Sequence, residues 1–292
     1  MDSKKHLKPF THKRYIFFAL ILILLVSFNT LADFKESDKK LERVFKKIGK
    51  EVQISHVLHL GKKLRYYSPE KIDASKPSII FIHGAPGTGG NFMDYLKDED
   101  LINSANLICL DRLGYGYSDL GNAVTSITEQ AESIYAIIQK HKLKNVTLVA
   151  WSFGVPIAGK MAAMYPEINH SVLVAGAVSA EHEKYFKLGK LAHWKSTRWM
   201  MPKSFRVADD EKSTHEEELT NMQADWSKIK SKVTYYHGTK DWIVPYDNMT
   251  FIKDNVNNEV LTAKIIEGEG HFIIFSEFEE IKSRLLNFIT NG

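Results

Sequence analysis

From Val52 to the end of the chain, short apolar runs alternate with stretches in which apolar residues recur at helical spacing. The short runs are rich in β-branched and aromatic residues, so they predict strands. These predicted strands lie at residues 52–60, 63–67, 78–82, 107–110, 146–151, 171–178, 233–236 and 261–266. The predicted helices between them lie near residues 91–96, 126–141, 153–165, 246–255 and 276–289.

This alternation predicts the class of fold. Strands that alternate with helices imply a mostly parallel sheet, here of eight strands, with helices on both faces. The first two runs are separated only by Gly61-Lys62, which predicts an antiparallel hairpin at the start of the sheet.

The alternation stops between residues 179 and 232, where the sequence becomes helical and polar. An insertion between two parallel strands emerges at a strand end and can cover whatever lies there, so we predict a helical cap inside one domain that spans residues 51–292. Four large apolar residues in it could line an apolar pocket, pack the cap onto the domain or contact a bilayer, and we expect packing. They are Trp194, Trp199, Met200 and Met201.

The amino terminus predicts a membrane segment. Residues 15–32 are 18 uncharged residues that directly follow Lys13-Arg14, and positive charge before an apolar run directs the rest of the chain across the membrane. We expect a retained anchor, with cleavage after Ala32 and a buried core helix as alternatives. The protein is then extracytoplasmic, either anchored in an inner membrane or exported to the periplasm or secreted.

Residues 33–50 predict a basic amphipathic helix or linker. Five apolar residues fall near one helical face, with lysines elsewhere: Phe34, Leu41, Val44, Phe45 and Ile48. Such a helix can lie on anionic headgroups or pack on its own domain, and the sequence leaves both open.

Composition and charge exclude several classes of protein. At 292 residues, 44% hydrophobic and 25% charged, the chain is an ordinary globular one. Its net charge of +4 comes from residues 1–32, and the remaining 260 residues carry 34 basic and 34 acidic side chains, so a nucleic-acid partner is not expected. The single cysteine, Cys109, excludes an intrachain disulfide and multi-cysteine metal sites, and we expect it in the core.

A serine stands where a predicted strand meets a predicted helix. The strand ends at Trp151, Ser152 follows, and the helix begins at once with Pro156 in its first turn, while small Ala150 and Gly154 flank the serine two residues away. This arrangement resembles the nucleophile elbow of the α/β-hydrolase superfamily, although Ala150 replaces a glycine. The resemblance implies the α/β-hydrolase fold and Ser152 as the nucleophile.

A second motif, His83-Gly84-Ala85-Pro86-Gly87, follows the predicted strand at residues 78–82. It resembles the oxyanion-hole loop of the same superfamily, which implies that the backbone N–H groups of Ala85 and Phe153 stabilise an oxyanion. We expect His83 to hold this loop rather than to act as a base.

A third motif, residues 111–118 (Asp-Arg-Leu-Gly-Tyr-Gly-Tyr-Ser), is similar to a loop that is usually architectural in the superfamily. Its glycines lack the spacing of a dinucleotide fingerprint, because the third one would have to stand at Asp119. We therefore expect no cofactor, and no metal motif occurs in the sequence either.

The remaining site residues come late in the chain. Asp241 follows the predicted strand at residues 233–236, and His271 follows the last one. The resemblance implies that His271 is the base and that Asp241 orients it, and the chain order serine, acid, histidine is the one found in this fold.

These motifs together predict a serine hydrolase that cleaves a carboxylic ester or similar acyl bond through an acyl-enzyme. The expected substrate is a small, apolar acyl compound. A carbon–carbon bond hydrolase or a perhydrolase with the same triad is the alternative enzyme, and a non-catalytic binding module is the alternative from another class. The oligomeric state stays open.

Overall fold

The computed structural model describes residues 33–186 and 190–291, so the membrane segment predicted at residues 1–32 lies outside the described residues. Eight strands in the described part form one sheet in the order β1-β2-β4-β3-β5-β6-β7-β8. Their bounds are β1 Gln53–His59, β2 Lys62–Ser68, β3 Ser78–Ile82, β4 Asn106–Leu110, β5 Val146–Trp151, β6 Ile168–Val174, β7 Lys232–Gly238 and β8 Leu261–Ile266.

The predicted eight-stranded, mostly parallel sheet is confirmed. Along the order of the sheet, every neighbouring pair from β4 to β8 is parallel. Strand β2 pairs antiparallel with both β1 and β4. The predicted hairpin is β1-β2, and its turn residues Leu60 and Gly61 have φ angles of 47° and 78°. Two positive φ angles match the twist of the paired strands, as in a type I′ turn.

Helices cover both faces of the sheet, with one apolar core on each side. The helices before the insertion are α1 Asp38–Lys46, α2 Met93–Lys97, α3 Glu99–Ser104, α4 Ile127–His141 and α5 Gly154–Met164. Those of the insertion are α6 Lys190–His193, α7 Lys195–Arg198 and α8 Lys203–Met222. The last three are α9 Asp247–Asn255, α10 Ile273–Ser276 and α11 Phe278–Asn291. No helix in these ranges is both long and apolar enough to cross a bilayer.

The differences from the prediction include strand β6 and the short helices α3 and α10, of which α10 was also not predicted. The strand expected at residues 171–178 is β6, which begins earlier because Ile168 already pairs with Val146. It ends earlier because Ala175 has a φ of 49° and turns the chain out of the sheet. The short helix α3 was not predicted, and Asp98 begins it by accepting a hydrogen bond from the N–H of Leu101 at 3.0 Å.

Helix α1 packs on its own domain. Leu41 and Phe45 are fully buried in the core beside Phe81 and Tyr95, whereas Phe34 and Ile48 stay exposed. Of the two possibilities left open for residues 33–50, packing on the domain is therefore the one observed. The division of the chain into an anchor, a linker and a hydrolase domain remains a prediction.

Cys109 is fully buried in β4, and burial raises the pKa of its thiol well above the usual value. Its Sγ lies 3.0 Å from the carbonyl oxygen of Gly89. The expectation of a core cysteine is confirmed.

A buried ion pair joins the insertion to the loop after β4. Arg112 donates from Nη1 and Nη2 to the two carboxylate oxygens of Glu211 on α8, at 2.5 and 3.1 Å, and both side chains are fully buried. Tyr115 donates to the same carboxylate at 2.5 Å. The guanidinium also donates to the carbonyl oxygens of His83 at 2.9 Å and Gly84 at 3.1 Å. One arginine therefore fixes α8 and the loop after β3 together.

Glu211→Ala should lower the free energy of unfolding by about 3 to 5 kcal/mol, because it leaves the Arg112 charge buried without its partner. Urea unfolding followed by tryptophan fluorescence measures this loss. The matched control is Glu217→Ala, an exposed carboxylate on the same helix, which should change stability by less than about 0.5 kcal/mol. Equal effects of the two substitutions would contradict a structural ion pair.

Candidate active site

Ser152 lies in a tight turn between β5 and α5. Its φ is 56°, a left-handed conformation that residues other than glycine rarely adopt. A Cβ on Gly154 would lie 2.5 Å from the carbonyl oxygen of Ile82, so only glycine fits there. Ala150 is fully buried in β5, so the turn accommodates the alanine that departs from the family pattern.

The three residues predicted to act together are within hydrogen-bonding distance of each other. His271 Nε2 lies 3.0 Å from Ser152 Oγ, and His271 Nδ1 lies 2.8 Å from Asp241 Oδ2. An ionised carboxylate can only accept, so Nδ1 carries the proton and Nε2 is left to accept one from the serine hydroxyl. The other carboxylate oxygen, Asp241 Oδ1, accepts from the N–H groups of Ile243 and Val244 at 2.9 and 2.8 Å.

The loops after β7 and β8 lie against each other, which brings Asp241 and His271 together. Lys240 donates its N–H to the carbonyl oxygen of Glu269 at 2.8 Å. A Cβ on Gly238 would lie 2.3 Å from that same oxygen, so glycine permits this approach. Trp151 donates from Nε1 to the carbonyl oxygen of His271 at 3.0 Å and packs beside its ring. The indole thus holds the histidine loop against the elbow.

Ala85 and Phe153 line the same cavity as Ser152. Among residues 33–186 and 190–291 neither N–H has a backbone or side-chain acceptor, which leaves both available to an oxygen in the cavity. A Cβ on Gly84 would lie 2.9 Å from the Cβ of Ser152, so the two loops are in close contact.

His83 fixes the loop after β3 with both ring nitrogens. Nδ1 donates to the carbonyl oxygen of Gly84 at 2.7 Å, and Nε2 accepts from the N–H of Arg112 at 2.9 Å. Burial and the positive charge of Arg112 lower its pKa well below the usual value, so the ring is neutral. These contacts agree with the structural part expected for His83.

A cavity of about 870 Å³ lies between the sheet edge and the insertion. Its lining is mostly apolar, with Phe153, Met201, Phe205 and Val244 among the contributing residues. The insertion therefore covers the serine as expected of a cap, and the volume is large enough for a medium-sized organic ligand.

The expectation that the four large apolar residues of the cap pack it onto the domain is wrong for three of them. Trp194, Trp199 and Met200 are 54%, 60% and 37% exposed. Met201 lines the cavity. The helices α6 and α7 that carry or flank these residues are single turns, and the residue they bury is the small Ala192.

A polar group within the cap also borders the cavity. His215 is 1% exposed, and its ring stacks on that of Phe153 with centroids 4.2 Å apart. Its Nδ1 lies 3.1 Å from a carboxylate oxygen of Glu183, which also pairs with Lys212. Burial and then the charge of Lys212 lower the pKa of His215 to about 3, and burial lowers that of Lys212 to about 8.

Sequence reasoning did not find Glu211, His215 or the positioning contact of Trp151. Glu211 contacts Arg112, about a hundred positions earlier in the sequence, and His215 contacts Phe153, more than sixty positions earlier. No motif surrounds either residue. Trp151 could have been suspected, because it directly precedes the serine. No group of three or more possible metal ligands occurs among the residues searched, those that the structure describes.

A family model described as the alpha/beta hydrolase fold matches residues 77–200. Over these residues the chain is similar to the α/β-hydrolase family, and it has the fold of that superfamily. The match covers the predicted oxyanion loop, the Asp111 loop and the elbow, whereas Asp241 and His271 lie beyond it. The assignment of the superfamily made from the motifs is thereby confirmed.

Relatives of this α/β-hydrolase are distant. The AB hydrolase superfamily protein YisY of Bacillus subtilis (strain 168) is 24% identical over 257 residues, which cover 75% of this chain and 93% of YisY. A protein named "Probable alcohol acetyltransferase" from Cyberlindnera fabianii is 24% identical over 125 residues, or 43% of this chain. The match spans 33% of the length of that protein.

A similar solved structure is the crystal structure of a membrane phospholipase A. The two structures align with a TM-score of 0.65 at 15% sequence identity. The alignment covers 96% of this chain and 100% of the phospholipase chain. At such identity the likeness shows the fold alone. Together with the family model and the hydrolase relatives, the fold supports a hydrolase enzyme that acts on a small molecule.

His215→Phe should make folding less sensitive to acid. Unfolded His215 binds a proton below about pH 6.5, whereas the folded residue does so only near pH 3, so stability falls as the pH falls through this window. Between pH 7 and pH 4.5 this one group accounts for about 2 to 3 kcal/mol of lost stability. Urea unfolding at both pH values should show a loss smaller by that amount in the variant.

The control is His56→Gln, which changes an exposed histidine on β1. It should leave the acid sensitivity as in the wild type. If His215→Phe and the wild type lose the same stability between the two pH values, His215 is not buried in its neutral form.

Proposed function

We propose that this α/β-hydrolase is a serine hydrolase that cleaves a carboxylic ester or a similar acyl bond. The observation that carries the proposal is the continuous hydrogen-bonded chain from Ser152 Oγ through His271 to Asp241. A serine hydroxyl is a weak nucleophile until a neighbouring base takes its proton, and this arrangement provides that base.

The reaction proceeds in two halves. Ser152 Oγ attacks the acyl carbon while His271 Nε2 takes the hydroxyl proton, and Asp241 Oδ2 stabilises the imidazolium through Nδ1–H. The N–H groups of Ala85 and Phe153 stabilise the oxyanion. The tetrahedral intermediate then collapses: the bond between the acyl carbon and the leaving group breaks, His271 gives its proton to the leaving group, and the acyl-enzyme remains. Water attacks the acyl carbon with His271 as base, and the released acid leaves Ser152 free again.

The cavity favours an apolar acyl group. Burying methylene groups of the substrate against its mostly apolar lining makes the binding free energy more favourable. Its volume of about 870 Å³ is larger than a short acyl group such as acetyl requires. A carbon–carbon bond hydrolase or a perhydrolase would use the same three side chains. A binding module would have no need for the aligned serine, histidine and carboxylate.

We also propose that residues 1–32 attach the enzyme to a membrane and place its catalytic part outside the cytoplasm. The support is the uncharged run at residues 15–32 behind Lys13-Arg14.

A fluorophosphonate probe should label the wild-type enzyme covalently and fail to label Ser152→Ala, because only an activated serine attacks the phosphorus. Intact-mass analysis measures the labelled fraction. The control is Ser213→Ala, which removes another serine hydroxyl bordering the same cavity and should keep full labelling. A folded wild type that stays unlabelled would instead favour the binding module.

Among p-nitrophenyl esters of increasing chain length, kcat/KM should rise until the cavity is filled. Each buried methylene contributes about 0.8 kcal/mol, so the rise should approach about fourfold per carbon. Ala208→Phe reduces the space beside Phe205 in the cavity lining and should move the optimum to shorter esters. A profile that falls steadily from acetate would contradict an apolar acyl pocket.

A further inference from the structure

Three large apolar side chains within residues 191–199 of the cap are exposed. Leu191, Trp194 and Trp199 are 38%, 54% and 60% exposed. Exposed tryptophan is uncommon on a soluble surface, because its large ring gains more from burial than most side chains do. Two exposed lysines, Lys195 and Lys203, belong to the same short segment. We call these five residues the docking face.

The chain enters the described structure beside this face. Asp33 Oδ1 accepts a hydrogen bond from the N–H of Ser204 at 3.0 Å, at the start of α8. The ring of Phe34 packs on that of Phe205, with centroids 6.3 Å apart. Residue 33 directly follows the uncharged run at residues 15–32. Asp33, the first described residue, therefore contacts the cap within a few residues of Trp199 along the chain.

The composition of the face suits the surface of a bilayer. Tryptophan is favoured at the level of lipid headgroups, where its ring is buried and its N–H stays near water. Exposed lysines beside it are attracted to anionic headgroups by about 1 kcal/mol each. A protein partner would explain the apolar residues equally well, but it would not explain why Asp33, which directly follows the predicted membrane segment, contacts the cap within a few residues of them along the chain.

We propose that the docking face lies on the surface of a bilayer that contains anionic phospholipid, with residues 1–32 holding it there. The same segment of the cap borders the cavity through Ala192, His193 and Met201. An apolar acyl substrate would then pass from the bilayer into the cavity without crossing bulk water. This step rests on the proposed function, because it takes the cavity as the acyl site.

A fluorescent label that responds to its environment tests the docking face in the full chain. Cys109 is fully buried, so a thiol-reactive label attaches only to a cysteine introduced at the surface. Trp199→Cys places the label on the docking face. The control Lys144→Cys places it at an exposed residue before β5, at the opposite edge of the sheet from Ser152.

Both variants are reconstituted into vesicles with and without phosphatidylglycerol, using phospholipids with brominated chains as quenchers. The label at residue 199 should lose at least about half of its emission in anionic vesicles and less in zwitterionic ones, whereas the label at residue 144 should not change. Equal emission at the two residues would overturn the proposal. Equal quenching at residue 199 in both kinds of vesicle would overturn the anionic preference.

Two further readouts separate this proposal from others. A spectral shift at residue 199 in detergent that depends on protein concentration would mean that a second copy covers the face, and it would overturn bilayer docking. Fluorophosphonate labelling of Ser152 in the same vesicles reports the proposed function independently. If Ser152 reacts with the fluorophosphonate but the label at residue 199 is not quenched, the proposed hydrolase activity is supported and only the docking face is refuted.

Discussion

The geometry of the candidate site depends on one backbone conformation, the positive φ of Ser152. For a residue other than glycine this conformation costs about 1 to 3 kcal/mol, so the surrounding structure has to enforce it. Gly154 allows the elbow to lie against the carbonyl oxygen of Ile82, and Gly84 brings the neighbouring loop against Ser152 itself. The same turn places the Ser152 hydroxyl 3.0 Å from His271 Nε2 and puts Phe153 in the cavity lining.

Much of this arrangement could be predicted from the sequence, because local motifs resemble those of the α/β-hydrolase superfamily and the resemblance implies the roles of the three residues. Ser152, Asp241 and His271 each follow an apolar strand, and the carboxyl ends of parallel strands meet at one edge of a sheet. The order of the strands, by contrast, comes from pairing between distant segments. The early end of β6 depends on the backbone turn at Ala175, which no pattern of apolar residues indicates.

The cap shows where sequence reasoning ends. Burial of its tryptophans was expected from their size, but the short helices that carry them present other residues to the cavity, and Trp194 and Trp199 are left exposed. The packing of α8 places Glu211 and His215 near the site, and the sequence of this helix is mostly polar. The partners of a buried charge on such a helix can be identified only in three dimensions.

The guanidinium of Arg112 donates at once to the carbonyls of His83 and Gly84 and to Glu211. Moving helix α8 away from the loop that carries Ala85 would leave a buried charge without its partner, so their separation is costly. Any gating of the cavity must then fall to the part of the cap before α8. A change confined to that part would alter how fast a ligand enters and leaves the cavity without moving Ser152, Asp241 or His271.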